Sequence, residues 1–173
     1  MTPDELRAKI REIPDFPKPG ILFYDITTLL KDPVAYRAAI DAMLAPYTGM
    51  KIDIVVGMES RGFIFSAPLA YKLGAGLVPV RKLGKLPAET ISVEYALEYG
   101  SNTLEVHRDA IEPGQKVLIV DDLLATGGTV NGTVELVQRL KGEIAGLAFL
   151  VELGFLKGRA RLASHPVSSV ITY

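Results

Sequence analysis

The chain has 173 residues, 49% hydrophobic and 23% charged, enough for one domain over 1–173 with a sizeable buried core. Its formal net charge of -1 gives no electrostatic case for nucleic acid, and the absence of cysteine excludes disulfides and thiolate metal sites. The charged N-terminus is unlike a secretory signal and no apolar run approaches a membrane span, so a soluble, cytoplasmic protein is expected.

Thr2 as N-cap, Pro3 at the first helical position and Glu5 three residues after the cap predict a short helix to about Glu12, ended by Pro14, Pro17 and Pro19. Residues 14–20 read as a structured loop rather than a linker. Asp32 and Pro33 start a second helix whose apolar face is Tyr36, Ile40, Met43, Leu44 and Tyr47, closed by Gly49. Short apolar runs then alternate with helical segments. They predict a strand at Ile54–Gly57, a helix through Leu73, a strand at Leu77–Arg81, a strand at Val117–Val120 followed by a helix patterned on Val130, Val134, Val137 and Leu140, and a strand at Ile144–Leu153. That order implies an α/β fold, a mainly parallel sheet flanked by helices. Residues 82–108 interrupt it, because Thr90–Leu97 and Thr103–His107 read as a hairpin flap inserted in the core. The C-terminal stretch carries little motif information, and His107 and His165 fit neither a metal spacing nor a nucleophile triad.

The chemistry concentrates at Val117-Leu118-Ile119-Val120-Asp121-Asp122-Leu123-Leu124-Ala125-Thr126-Gly127-Gly128-Thr129. A buried strand ends in paired carboxylates, and glycines then let the backbone approach an anion at a helix start. The Gly-Lys-Ser/Thr of a Walker A loop and the Gly-x-Gly-x-x-Gly of a dinucleotide site are both missing here. Two carboxylates beside a phosphate nest fit a sugar phosphate, since carboxylates accept hydrogen bonds from vicinal hydroxyls. The competing reading is an ordinary turn with an Asp helix cap. Glu59-Ser60-Arg61-Gly62 places a second polar turn at a strand's carboxyl end, where open α/β sheets bind ligands. Arg81, Lys82 and Lys85 follow a third strand, and alone such cations are usually a solvated strand end.

The Asp-Asp-Leu-Leu-Ala-Thr-Gly-Gly-Thr segment resembles the phosphoribosyl diphosphate (PRPP) motif of type I phosphoribosyltransferases, in the form found in their adenine-specific group. The resemblance, over roughly residues 10–155, implies transfer of the 5-phosphoribosyl group from PRPP to adenine, giving AMP and pyrophosphate. It implies that Asp121 and Asp122 hold the ribose hydroxyls and that Ala125, Thr126, Gly127, Gly128 and Thr129 hold the 5′-phosphate. Ser60 and Arg61, in a turn that often has a non-proline cis peptide, would bind pyrophosphate. Arg81, Lys82 and Lys85 would join them, some reaching across a homodimer.

Phe16 to Asp25 resembles the family's adenine-binding loop. Phe23 and Leu123 would sandwich the base, the Leu22 carbonyl would accept from its 6-amino group and the Tyr24 N–H would donate to N1. A 6-oxo purine presents that pattern reversed. At the flap tip, Glu98 beside Tyr99 would take the proton that adenine loses, with Glu94 and Glu105 as rival acids. Mg²⁺ is expected, bound mainly through diphosphate, ribose hydroxyls and water. Two positions depart from the family's usual residues, Glu59 for Asp and Tyr24 for Arg. The rival readings are a transferase for another purine and a non-catalytic sensor of PRPP or nucleotides.

Overall fold

The computed structural model describes residues 1–96 and 101–173. Helix α1 (Pro3–Arg7) starts with the expected capping box: Thr2 Oγ1 accepts from the Glu5 N–H, and the Glu5 carboxylate accepts from the Thr2 N–H at 2.8 Å. It stops at Arg7 rather than Glu12, because Arg11–Pro14 becomes strand β1 and pairs antiparallel with β2 (Leu22–Asp25). Ladder hydrogen bonds to a distant segment override the local helical pattern there. Arg11 also binds Asp25 across that pair at 2.6 Å, and the Asp25 carboxyl is held down to about 2 by the Thr27 hydroxyl and N–H and by Arg11.

A short helix α2 (Thr27–Leu30) leads into α3 (Pro33–Leu44), where Asp32 caps the N–H groups of Val34 and Ala35. Pro46 sits in a tighter turn over Ala45–Tyr47 that ends α3 before Gly49. Strand β3 (Ile54–Met58), helix α4 (Gly62–Leu73) and strand β4 (Gly76–Lys82) form the first crossover unit. Pro68 lies inside α4 and has no N–H for the carbonyl of Ile64. The Tyr36 hydroxyl from α3 donates to that carbonyl at 2.7 Å, so the break in the helical ladder is filled by the neighbouring helix.

Strands β5 (Thr90–Ala96) and β6 (Ser101–His107) pair antiparallel, and β6 in turn pairs antiparallel with the end of β4. Strand β7 (Lys116–Leu124), helix α5 (Gly128–Arg139) and strand β8 (Glu143–Glu152) form the second crossover unit, and β9 (Val167–Thr172) closes the sheet. The seven strands run in the order β5-β6-β4-β3-β7-β8-β9, parallel from β4 to β9. The α/β architecture and its mainly parallel sheet are as the sequence implies; β1, β2 and β9 are additions to it.

Both faces of the sheet are covered. On one, Leu6, Leu29, Met43, Phe65 and Leu69 pack against Val55, Leu118, Val120 and Leu150. On the other, Val130, Val134 and Val137 of α5, with Val93 and Leu104 of the hairpin, pack against Val56, Ile119 and Phe149. This is why the central strands read as unbroken apolar runs. Among the described residues, no helix is long and apolar enough to cross a membrane.

Candidate functional site

Parallel strands leave their carboxyl ends on one edge, and there the turn after β3 meets the loop after β7. Between them lies a cleft of about 400 Å³ lined by Glu59, Ser60, Arg61, Lys82, Asp121, Asp122 and the whole run from Leu123 to Val130. The two acids are not beyond the strand but within it. Leu118, Val120 and then Leu123 face one core while Val117, Ile119 and Leu124 face the other, so the alternation slips by one at Asp121-Asp122. Neighbouring strand residues ordinarily point to opposite faces; across this slip both acids line one cleft.

Asp122 is buried and takes an ion pair from Arg61 Nε at 2.6 Å. Asp121 accepts from the Asp122 N–H at 2.8 Å. Its burial, and then the negative charge of Asp122, push the Asp121 carboxyl well above the usual carboxylate range. In the role the resemblance implies for Asp121, its ionised form is the stronger acceptor of ribose hydroxyls. We therefore expect kcat/KM for PRPP to fall on the acid side at a pH well above 3.8, and Asp121→Asn to abolish that limb. A pH–rate profile checks this, and an acid limb at ordinary carboxylate pH would show Asp121 ionised in the free protein. The sign for stability is opposite to that of a salt-bridged acid: the penalty appears as pH rises from the unfolded value through the raised one.

Gly127 is the N-cap of α5 at φ 82°, a conformation that glycine adopts without steric cost, and no side chain caps the helix. This disposes of the reading in which Asp121 or Asp122 serves as a helix cap. The N–H groups of the first turn point into the cleft region lined by Thr126, Gly127, Gly128 and Thr129. Thr129 Oγ1 donates to the Tyr95 hydroxyl at 3.3 Å, linking the loop to the hairpin.

On the opposite wall the Glu59–Ser60 peptide is cis, as the resemblance implied. Glu59 organises the cations around it. Its carboxylate accepts from the Lys82 N–H at 3.0 Å and from Arg81 at 3.4 Å and pairs electrostatically with Lys85 Nζ at 3.7 Å, and the Lys82 N–H first among these holds its pKa down. Lys82 lines the cleft, whereas Arg81 and Lys85 pair with Glu59, itself a lining residue. Glu105, one of the rival acids, is buried and accepts from the N–H groups of Lys85 and Leu86 at 3.0 and 2.9 Å. Burial pushes its carboxyl up, but those N–H groups and that of Gly84 outweigh it and leave the pKa low, a poor state for a proton acceptor. Glu98 and Tyr99 lie outside the described residues.

A second, more apolar cavity of about 160 Å³ adjoins the first, lined by Ile21, Leu22, Phe23, Tyr24, Ile26, Leu123, Val151 and Leu153. Arg61, Asp122 and Leu123 line both cavities. Strand β2 belongs to a two-stranded sheet, so one edge of it is unpaired, and Leu22 and Tyr24, two apart, present backbone groups to the same edge. The Tyr24 ring also meets the C-terminal residue: its centroid lies 3.9 Å from that of Tyr173, and Arg7 lies over the Tyr173 ring at 4.1 Å. Sequence reasoning missed this stack and the ion pair of Arg61 with Asp122. Neither has a local signature.

A family model described as a phosphoribosyl transferase domain matches residues 27–170. An adenine phosphoribosyltransferase of Acidobacterium capsulatum is 62% identical over 170 residues, covering 98% of this chain and 94% of that protein. The crystal structure of adenine phosphoribosyltransferase from Thermoanaerobacter pseudethanolicus superposes with a TM-score of 0.96 at 53% identity, over 99% of this chain and all of that one. The enzyme of Saccharomyces cerevisiae, solved with adenine and an imino-altritol bisphosphate, gives a TM-score of 0.92 at 42% identity over 97% of both chains.

Proposed function

Because the chain belongs to the phosphoribosyl transferase family, among its adenine phosphoribosyltransferases, we infer that it transfers the 5-phosphoribosyl group of PRPP to adenine, forming AMP and pyrophosphate for purine salvage. The observation that carries this reading is the pairing of a polar, phosphate-shaped cleft with an apolar, base-sized cavity across a shared wall. A sugar phosphate and a flat base meet at such a wall. The yeast relative, crystallised with adenine and a phosphorylated sugar mimic together, supports it.

In this reading the 5′-phosphate sits on the Ala125–Thr129 loop, whose backbone N–H groups and threonine hydroxyls donate to it. Asp122 exchanges Arg61 for ribose hydroxyls, and Asp121 joins it once deprotonated. Arg61, Ser60 and Lys82 take the diphosphate, with Arg81 and Lys85 held nearby by Glu59. As pyrophosphate departs, positive charge grows at C1 and the two carboxylates stabilise it. N9 of adenine, held between Phe23 and Leu123, attacks that carbon; Glu98 accepts the proton. The Leu22 carbonyl and Tyr24 N–H read the 6-amino group and N1.

Mg²⁺ fits this cleft as a substrate-borne ion. Asp121, Asp122 and Glu59 are the acids that line it, and no group of three or more metal-ligating side chains occurs among the described residues. When bound it neutralises diphosphate charge. We further propose that the chain acts as a single phosphoribosyltransferase unit over 1–173, with the flap over about 82–108, and as a cytoplasmic homodimer.

The test is an assay with PRPP, Mg²⁺ and each of adenine, hypoxanthine, guanine and xanthine, scoring nucleotide and pyrophosphate. AMP, with pyrophosphate in equal amount, is the expected outcome, and no nucleotide from the other three bases. PRPP binding without AMP formation would make the protein a sensor, and equal turnover of the 6-oxo purines would end the proposed role of Leu22 and Tyr24.

A further inference from the structure

Residues 157–162 carry no recognisable motif, yet they lie against the backbone of the Ala125–Thr129 loop. A Cβ placed on Gly158 would stand 2.1 Å from the carbonyl oxygen of Ala125 and 3.0 Å from both the nitrogen of Gly127 and the carbonyl carbon of Thr126. The contact is reciprocal, since a Cβ on Gly127 would stand 2.8 Å from the Gly158 carbonyl oxygen. Gly158 has no positive φ, so proximity rather than conformation demands glycine there. Two anchors hold this segment in place. Leu162 is buried in the core beneath α5. Arg159 donates to Glu152 from Nε at 3.0 Å, to the Val167 carbonyl at 2.8 Å and to Ser169 Oγ at 3.1 Å, while Ser169 itself donates to Glu152 at 2.6 Å. Glu152 ends β8 directly beside Leu124, the last residue of β7, so the tie fastens the segment to the strand pair from which the loop springs.

We propose that Gly158 and Arg159 are positioning residues for the 5′-phosphate loop: Gly158 is the floor that sets the height of its backbone, and Arg159 fixes that floor to the sheet. The proposal rests on the assignment of this loop to the 5′-phosphate. A backbone nest binds an anion through several N–H groups at once, so a displacement of roughly 1 Å costs on the order of 100-fold. Both residues touch the loop or its support, and neither is among the residues that line the cleft.

The experiment measures KM for PRPP and for adenine, and inhibition by ribose 5-phosphate and by pyrophosphate separately. Gly158→Ala is expected to raise Ki for ribose 5-phosphate and KM for PRPP about 100-fold. Ki for pyrophosphate, bound on the opposite wall, and KM for adenine stay within about threefold. Arg159→Lys, which keeps the charge and loses the forked donors, moves the same two constants about 10-fold and decides the matter if Gly158→Ala does not fold. Unchanged ribose 5-phosphate inhibition, or an equal rise for both inhibitors, overturns the proposal. Thr126→Val, in the loop itself, separates the two levels. If ribose 5-phosphate ignores it, the phosphate assignment fails; if it responds while Gly158→Ala and Arg159→Lys do not, the floor alone fails.

Discussion

Replacing Asp122 with alanine is expected to lower kcat/KM for PRPP about 10- to 150-fold, the loss of roughly 1.5 to 3 kcal/mol from charge-assisted hydrogen bonds to the ribose. The fold itself should survive. The partner left behind, Arg61, keeps a side chain 41% exposed and rehydrates when its carboxylate is removed. Since α5 is capped by Gly127 and not by an acid, no helix end is lost with Asp122. A steady-state PRPP titration beside a melting curve measures both halves. Unaltered PRPP kinetics would show that Asp122 serves only to hold Arg61.

Glu98→Ala is expected to have the larger effect, lowering kcat by about 10²- to 10⁴-fold with KM for PRPP within a few-fold, as removal of a proton acceptor does. Of its rivals, Glu105 is already engaged by the backbone of the loop that carries Lys85. Glu105→Gln should therefore act through pyrophosphate binding and leave proton transfer intact. Single-turnover measurement with saturating PRPP separates the two variants. Full turnover by Glu98→Ala would remove that residue from the mechanism.

The cradle was legible because its chemistry is local: acids, glycines and a resumed helical pattern follow one another within a few residues, each constraining the next. The same holds for the capping box at Thr2 and the Asp32 cap. What escaped was set by partners far along the chain. Arg11–Pro14 becomes a strand because of Leu22–Asp25, and β9 has only an apolar scatter to announce it until β8 lies beside it. Gly158 looks like any surface-turn glycine until the Ala125 carbonyl is found against it. The arrangement of the cationic cluster around Glu59 has no local signature. Glu59 stood out only as a departure from Asp, whereas its longer side chain is what reaches Lys82, Arg81 and Lys85 together.

Arg61, Asp122 and Leu123 form a wall common to both cavities. The Arg61–Asp122 ion pair spans that wall, and the paired guanidinium already lies 5.7 Å from the ring of Phe23, at the edge of the apolar cavity. A ligand on the polar side that displaced Arg61 from Asp122 would change the lining of the apolar side, and any coupling that results is reciprocal. A wall built from one ion pair and one leucine thus leaves neither compartment independent of the side chains that shape the other.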